Sequence, residues 1–160
     1  MNKRYGISDI NHFGVLKLGF PLLMMFAFLT RHWWLAVGIM MSRSPEVMAE
    51  FFDGSITYLL IAESPALLAC VLAMKRKPDA GKLVRFLWKQ GFWLILLSLV
   101  LNLVAIALVP GKHVFSLSRL EGLQWAAVAV NICILGYILF FPRTRDTFAE
   151  FPTPPEAPKP

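Results

Sequence analysis

Five residues that carry charge or make several hydrogen bonds lie in stretches that are otherwise apolar: Arg31, His32, Glu63, Asn102 and Asn131. Charged groups are costly in the hydrocarbon core of a membrane, so such residues pair with one another or mark a functional site. Arg31 and Glu63 are suited to an ion pair, and the two amides could complete its hydrogen bonds. His32 could donate a hydrogen bond or take up a proton, because imidazole titrates near neutral pH.

These five residues also lie at similar depths in the predicted membrane helices. At about 1.5 Å per residue, they fall roughly 10 to 15 Å from the predicted outer ends of those helices. Three interpretations of this polar layer are open: a structural layer that fixes helix register, a site for a proton, ion or small solute, and a contact surface for another membrane subunit. Pro65 lacks an amide hydrogen and predicts a kink in the helix that carries Glu63.

The elements that would position the layer are four apolar stretches. The chain has 160 residues, of which 57% are hydrophobic and 16% charged, compared with about 25% charged in soluble domains. This composition excludes intrinsic disorder and argues against a soluble enzyme, because so short a chain could not bury that much apolar surface. The predicted fold is an all-α integral membrane bundle of four transmembrane helices, at about 20–41, 55–74, 91–109 and 123–141.

The distribution of lysine and arginine predicts the orientation of the bundle. Twelve of these residues lie in the two terminal segments and the second loop, whereas three lie in the first and third loops. The positive-inside rule therefore predicts that both termini are cytoplasmic. The chain then divides into a cytoplasmic segment 1–19, a membrane domain 20–141 and a cytoplasmic tail 142–160, which is rich in proline and expected to be disordered from residue 152.

The first and second loops each have a distinctive sequence pattern. In the first, the sequence Ser44-Pro45-Glu46 predicts a helix start. The segment that follows is interpreted as a short interfacial helix, as an outward extension of the second span, or as an acidic docking patch for a partner outside the membrane. In the second loop, which extends from 75 to 90, residues 75–82 are interpreted as a basic hairpin that orients the protein and contacts anionic lipid. The net charge of +6 therefore does not indicate nucleic-acid binding.

The chain lacks the residue patterns of known catalytic and metal sites. It contains no HExxH, GxSxG, P-loop or CxxC motif. His12, His32 and His113 are predicted to lie in three different compartments and cannot converge on one metal ion. Cys70 and Cys133 are single thiols at different depths, where cysteine usually serves as a small apolar residue. We expect no enzymatic activity, no catalytic residues, no cofactor and no metal.

Two stretches resemble a known family: Phe28-Leu29-Thr30-Arg31-His32-Trp33, and the run 143–152, RTRDTFAEFP, which follows the last span. Together with the four-span layout they resemble the YfeZ-like inner-membrane proteins, an uncharacterised family of Gram-negative bacteria. The resemblance covers about residues 13–152 and implies a multi-pass protein of the bacterial inner membrane. It implies no catalytic residues.

The segment RTRDTFAEFP is expected to form a short amphipathic helix along the inner membrane surface, with Arg143 and Arg145 facing lipid phosphates. It is interpreted as a membrane anchor or, alternatively, as a recognition motif. The functional hypothesis is a structural or accessory subunit of a membrane assembly, whose partners are the lipid bilayer and another membrane protein or a second copy. The alternative is a small transporter or channel component that uses the Arg31–Glu63 layer.

Overall fold

The computed structural model of the protein describes residues 5–6, 9–11, 13–42, 46, 55–108 and 122–152. Within these residues the chain forms seven α-helices and, apart from one bridge between Ile10 and Leu16, no β-structure. The all-α prediction is confirmed. The predictions for the first loop, including its helix start at Ser44-Pro45, for His12 and His113 and for the tail beyond residue 152 lie outside the described residues, with only Glu46 described between residues 43 and 54.

Seven helices follow one another along the described chain. Two of them place a proline in the first turn, Pro21 and Pro142, where the missing amide hydrogen has no helical partner to lose. Their bounds are α1 Phe20–Leu29, α2 Arg31–Ser42, α3 Ser55–Met74, α4 Lys82–Lys89, α5 Gly91–Leu108, α6 Gly122–Phe140 and α7 Pro142–Ala149.

One described helix, α3, is long and apolar enough to cross a membrane without interruption. Three pairs of helices meet this criterion only together, and each pair is bent: α1 and α2 by 59°, α4 and α5 by 54°, and α6 and α7 by 69°. The described chain therefore has one clear candidate for a membrane-spanning helix, and up to four candidate spans if each bent pair counts as a unit. The predicted span 20–41 corresponds to two helices that meet at Thr30. The helix α3, in contrast, continues through Pro65 without a break.

The helix α3 is the centre of the packing. It contacts α1, α2, α4 and α5, and α6 packs on α5. Three alanines of α3, Ala62, Ala66 and Ala69, are buried, and small residues at such spacing let neighbouring helices approach closely. They meet buried aliphatic residues of α5 such as Ile95 and Leu99. The polar side chains of the site are held at this central helix.

The outer surface of the helices is apolar. Large hydrophobic side chains are exposed on most of the long helices, including Trp34, Met41, Val100, Leu139 and Phe140. A soluble monomer rarely exposes so much contiguous apolar surface, whereas a lipid-facing helix does so routinely. A membrane location agrees with this surface.

Candidate functional site

The carboxylate of Glu63 lies at the centre of a polar cluster between α2 and α3. The side chain is fully buried and has donors on two neighbouring residues of α2. The backbone N–H of His32 donates to Oε2 at 3.0 Å, and Nδ1 of the same residue lies 2.7 Å from Oε1. The guanidinium of Arg31 lies 3.5 Å from Oε1. We call the bend between α1 and α2 the elbow, and we call Thr30, Arg31, His32 and Glu63 the elbow cluster.

The elbow cluster explains why the first apolar stretch is broken into two helices. The first N–H groups of any helix lack partners within the helix, and α2 begins at Arg31. Glu63 supplies an acceptor to one of these groups, and its negative charge is favourable beside the positive end of the helix dipole. A side chain on α3 therefore caps α2 from outside.

Thr30 completes the bend between α1 and α2. This residue is fully buried, and its φ of −119° and ψ of 15° end α1. Its hydroxyl donates to the carbonyl of Phe26 at 2.6 Å and accepts from the indole N–H of Trp34 at 2.9 Å. The buried hydroxyl of Thr30 thereby has one donor and one acceptor as partners, as buried polar groups require.

Arg31 has contacts on α1 as well as with Glu63. Its Nη1 donates to the carbonyl of Phe28 at 2.9 Å, and its guanidinium lies 4.3 Å from the centre of the Phe28 ring. About a quarter of the side chain is exposed, compared with 16% for His32. The contact from His32 to Glu63 is the shorter of the two, although the sequence pointed first to Arg31.

The His32–Glu63 contact joins an imidazole nitrogen to a carboxylate oxygen. An ionised carboxylate can only accept hydrogen bonds, so with Glu63 ionised the shared hydrogen lies on Nδ1 of His32. This arrangement can hold one proton between an imidazole and a carboxyl group inside the apolar part of the protein.

The two asparagines of the predicted layer are buried but bond within their own helices. The amide nitrogen of Asn102 donates to the carbonyl of Ser98 at 3.2 Å, and that of Asn131 to the carbonyl of Ala127 at 2.8 Å. Neither amide oxygen has a hydrogen-bond partner among the described residues. The structure thus brings together Arg31, His32 and Glu63, and no described hydrogen bond joins the asparagines to them.

Backbone carbonyls just before Pro65 accept hydrogen bonds from side chains of α2, α3 and α5. The carbonyl of Leu60 accepts from Trp33 at 3.0 Å and from the hydroxyl of Ser64 at 2.9 Å. The carbonyl of Ala62 accepts from the hydroxyl of Ser98 on α5 at 2.9 Å. Such side chains satisfy backbone groups around a proline in a membrane helix. The role of Trp33 escaped sequence reasoning, because a bond to a backbone carbonyl requires no particular partner residue.

A second polar cluster, also missed from the sequence, lies at the opposite end of α3. The guanidinium of Arg76 donates to the carbonyls of Leu16 at 2.8 Å and Glu150 at 3.0 Å, and it lies 4.9 Å from the ring of Trp88. The indole N–H of Trp88 donates to the same Glu150 carbonyl at 3.0 Å, and the Glu150 carboxylate accepts from the backbone N–H of Leu16 at 2.8 Å. We call Leu16, Arg76, Trp88, Thr147 and Glu150 the basal cluster.

The basal cluster ties four parts of the chain together: the N-terminal segment, the loop after α3, the helix α4 and the end of α7. The carbonyl of Thr147 also faces the indole N–H of Trp88, at 3.3 Å. Burial lowers the pKa of Arg76, and the charge of Glu150 opposes that shift. The basic residues of the second loop were visible in the sequence, but they indicated only the orientation of the protein. They did not indicate that Arg76 contacts the carbonyls of Leu16 and Glu150.

The helix predicted in RTRDTFAEFP is present as α7, but its surroundings differ from the prediction. Phe148 is buried, with its ring centre 4.6 Å from that of Trp88, so this face packs on protein instead of lipid. Arg143 donates to Asp9 at 2.9 Å, and Asp146 accepts from the hydroxyl of Tyr5 at 2.6 Å. Tertiary contacts, which hydrophobic spacing does not reveal, hold this helix against the N-terminal segment.

The start of the proline-rich tail differs from the sequence prediction. The sequence predicts disorder from residue 152, but Pro152 itself is fully buried. Cys70 and Cys133 are both free thiols. Among the described residues, no group of three His, Cys, Asp or Glu side chains is arranged to hold a metal ion.

A family model described as "Protein of unknown function (DUF2919)" matches residues 5–150. The chain belongs to the DUF2919 family. The DUF2919 match begins at Tyr5 and ends at Glu150, and both residues make the tertiary contacts described above. It therefore includes the elbow cluster and the basal cluster, and it leaves out the proline-rich tail.

The DUF2919 match agrees with the resemblance to an uncharacterised family. The YfeZ-like character and the bacterial inner membrane stay predictions from the sequence. Comparisons with curated proteins and with solved structures find no match.

Proposed function

We propose that this DUF2919 protein is a small multi-pass protein of the bacterial inner membrane that serves as a structural or accessory subunit of a membrane assembly. The observation that carries the proposal is that contacts from the same chain occupy the carboxylate of Glu63. Its carboxylate is fully buried and receives contacts from the His32 backbone, the His32 ring and Arg31. A carboxylate held in this way stabilises a helix junction and has little capacity left for a solute.

The shape of the helix bundle supports the same proposal. One groove, of about 360 Å³, lies between the α1–α2 elbow and α3, and another, of about 410 Å³, lies between α1 and α6. Both are open and lined mainly by apolar side chains, and neither is lined by Glu63, Asn102 or Asn131. Grooves of this kind suit lipid chains or apolar helix faces better than they suit an aqueous path.

Purification from native membranes in a mild detergent tests the proposal. We expect a partner protein at fixed stoichiometry, retained through two successive chromatography steps. The matched control is the Arg31→Leu variant, which changes the elbow cluster and should retain the partner if the cluster is structural. A homogeneous particle containing only this chain, together with solute flux in proteoliposomes, would contradict the proposal.

A second candidate function, a transporter or channel component, is favoured by one specific observation. The His32–Glu63 contact of 2.7 Å lies at a break in a predicted membrane span, and transporters build their sites at broken helices. Four spans leave little room for an aqueous path, so this function would require an oligomer. Proteoliposomes carrying a pH-sensitive dye test it: proton flux that disappears in the Glu63→Gln variant would favour transport over the structural role.

A further inference from the structure

We propose that α4 is a docking surface for anionic phospholipid, with an apolar ridge formed by Leu83 and Phe86 and a basic edge formed by Lys82 and Lys89. The two apolar side chains are 70% and 61% exposed, although they belong to a short helix whose other side is packed on protein. Both lysines are exposed on the same helix. The partner that fits an apolar ridge beside two ammonium groups is a leaflet rich in negatively charged headgroups.

Helix geometry places the ridge and the edge side by side. At 100° per residue, Leu83 and Phe86 lie about 60° apart around the helix axis. Lys82 and Lys89 lie about 20° apart and next to Phe86. The apolar and basic groups therefore face the same direction from the protein, as the two parts of an interfacial helix do. Lysine stems also cover apolar surface while their charged ends reach the headgroups.

Contacts on the opposite side of α4 prevent the helix from turning this ridge inward. Trp88 is fully buried in the basal cluster. The guanidinium of Arg85 donates to the carbonyls of Pro78 at 2.6 Å and Ala80 at 3.1 Å, and it lies 5.5 Å from the ring of Phe151. The contacts of Trp88 and Arg85 thus fix the rotation of α4 about its own axis. The fold therefore holds Leu83 and Phe86 facing outward.

The bend between α4 and α5 is compatible with α4 lying at a membrane surface. The two helices meet at 54°, so with α5 crossing the membrane α4 is inclined well away from the membrane normal. Trp93, in the first turn of α5, is 61% exposed, and tryptophan at this position is typical of the interface between lipid and water. Lys75 and Lys77 are also exposed close by in the chain, with Asp79 as the one acidic residue between α3 and α4.

Site-specific fluorescence quenching of the purified protein, reconstituted into lipid vesicles, tests the apolar ridge. Single-cysteine variants L83C, F86C and K82C, made with Cys70 and Cys133 replaced by alanine, carry one fluorophore each in vesicles of phosphatidylcholine and phosphatidylglycerol. We expect brominated lipid to quench positions 83 and 86 and aqueous iodide to quench position 82. Iodide quenching of all three positions would overturn the proposal, because α4 would then face water. Protection of positions 83 and 86 from both quenchers would overturn it in favour of a contact between two copies.

Lipid titration tests the basic edge. Increasing phosphatidylglycerol should raise the thermal stability of the wild-type protein in detergent micelles. The Lys82→Gln/Lys89→Gln variant should need more of this lipid for the same effect, by about fivefold for each lysine removed. The Lys75→Gln/Lys77→Gln variant loses the same charge outside α4 and should show a smaller change. Equal changes in the two double variants would contradict a headgroup site on α4.

Discussion

The carboxylate of Glu63 on α3 accepts a hydrogen bond of 3.0 Å from the backbone N–H of His32, the second residue of α2. A residue 31 positions later in the chain therefore caps α2, whereas a helix is ordinarily capped by a residue next to it in the sequence. The elbow between α1 and α2 and the burial of Glu63 are consequences of the same contact. Since the cap and the break depend on each other, substitutions at Glu63 should affect the whole elbow.

Replacement of Glu63 by leucine is the most damaging single change that we expect in the elbow cluster. It leaves Arg31 without its carboxylate and the N–H of His32 without an acceptor, and breaking a buried pair costs about 3–5 kcal/mol. The Arg31→Leu variant should lose less stability, because a lone carboxyl can become neutral by taking up a proton. Thermal unfolding in detergent measures both, with Ile61→Leu, at an exposed position of α3, as a neutral control.

The double variant Arg31→Leu/Glu63→Leu should recover part of the stability lost in Glu63→Leu. Recovery should be incomplete, since the backbone N–H of His32 still lacks its acceptor. Strictly additive losses would show that Arg31 and Glu63 act independently, in contradiction to their 3.5 Å contact.

Substitution of Gly91 by alanine should strongly destabilise the protein. A Cβ atom at this position would overlap the ring of Phe148, which is buried in contact with Trp88. The matched control is Gly136→Ala, where the added atom meets nothing within 4 Å. The control should gain about 0.5–1 kcal/mol, because alanine is favoured over glycine within a helix. Similar melting temperatures for the two variants would contradict the close packing of Phe148 on α5.

The Trp88→Phe variant tests the basal cluster while retaining an aromatic ring beside Phe148. It removes the indole N–H that the carbonyls of Thr147 and Glu150 accept, and we expect a loss of about 1–3 kcal/mol. Protease cleavage within the tail should become faster, because the end of α7 loses one of its two clamping donors. Trp93→Phe, at an exposed position, is the control; equal cleavage rates in the two variants would rule out this role for Trp88.

The pair of Asp9 and Arg143 predicts a change in stability at acid pH. The hydrogen bond from Arg143, with a smaller contribution from the backbone N–H of Gly6, lowers the pKa of Asp9 below its ordinary value of 3.8. A carboxyl group with a lowered pKa stabilises the fold above that ordinary value and ceases to do so as the pH falls through the lowered one. The difference in stability between wild type and Asp9→Asn should therefore be constant from about pH 5 to 8 and shrink below about pH 4. A difference that persists at lower pH would exclude the ionic contact as its cause.

Reporter fusions test the proposed orientation. Reporters active only outside the membrane should function when fused at Ser44 and Lys112 and fail at Pro78 and Pro154, as the positive-inside rule predicts. Activity at Pro78 would reverse the orientation. Activity at Pro154 without activity at Lys112 would indicate a different number of spans.

Composition and hydropathy alone predicted the helical class and the positions of the apolar stretches. They could do so because helix formation by a 20-residue apolar segment depends on local properties of the chain. The matching depths of Arg31 and Glu63 likewise pointed to residues that the structure places 3.5 Å apart. Charge and depth can be counted along a sequence, whereas the direction in which each side chain points around its helix depends on packing.

Only the tertiary structure decided where the first apolar stretch breaks, which partner Glu63 favours and what surrounds α7. The break at Thr30 depends on a cap from α3, and the basal cluster depends largely on the carbonyls of Leu16, Thr147 and Glu150. Every residue has a backbone carbonyl, so the sequence carries no mark of the few that receive a buried arginine or tryptophan. These contacts form between segments as far apart as residues 16 and 150, and only the packing of the whole chain brings them together.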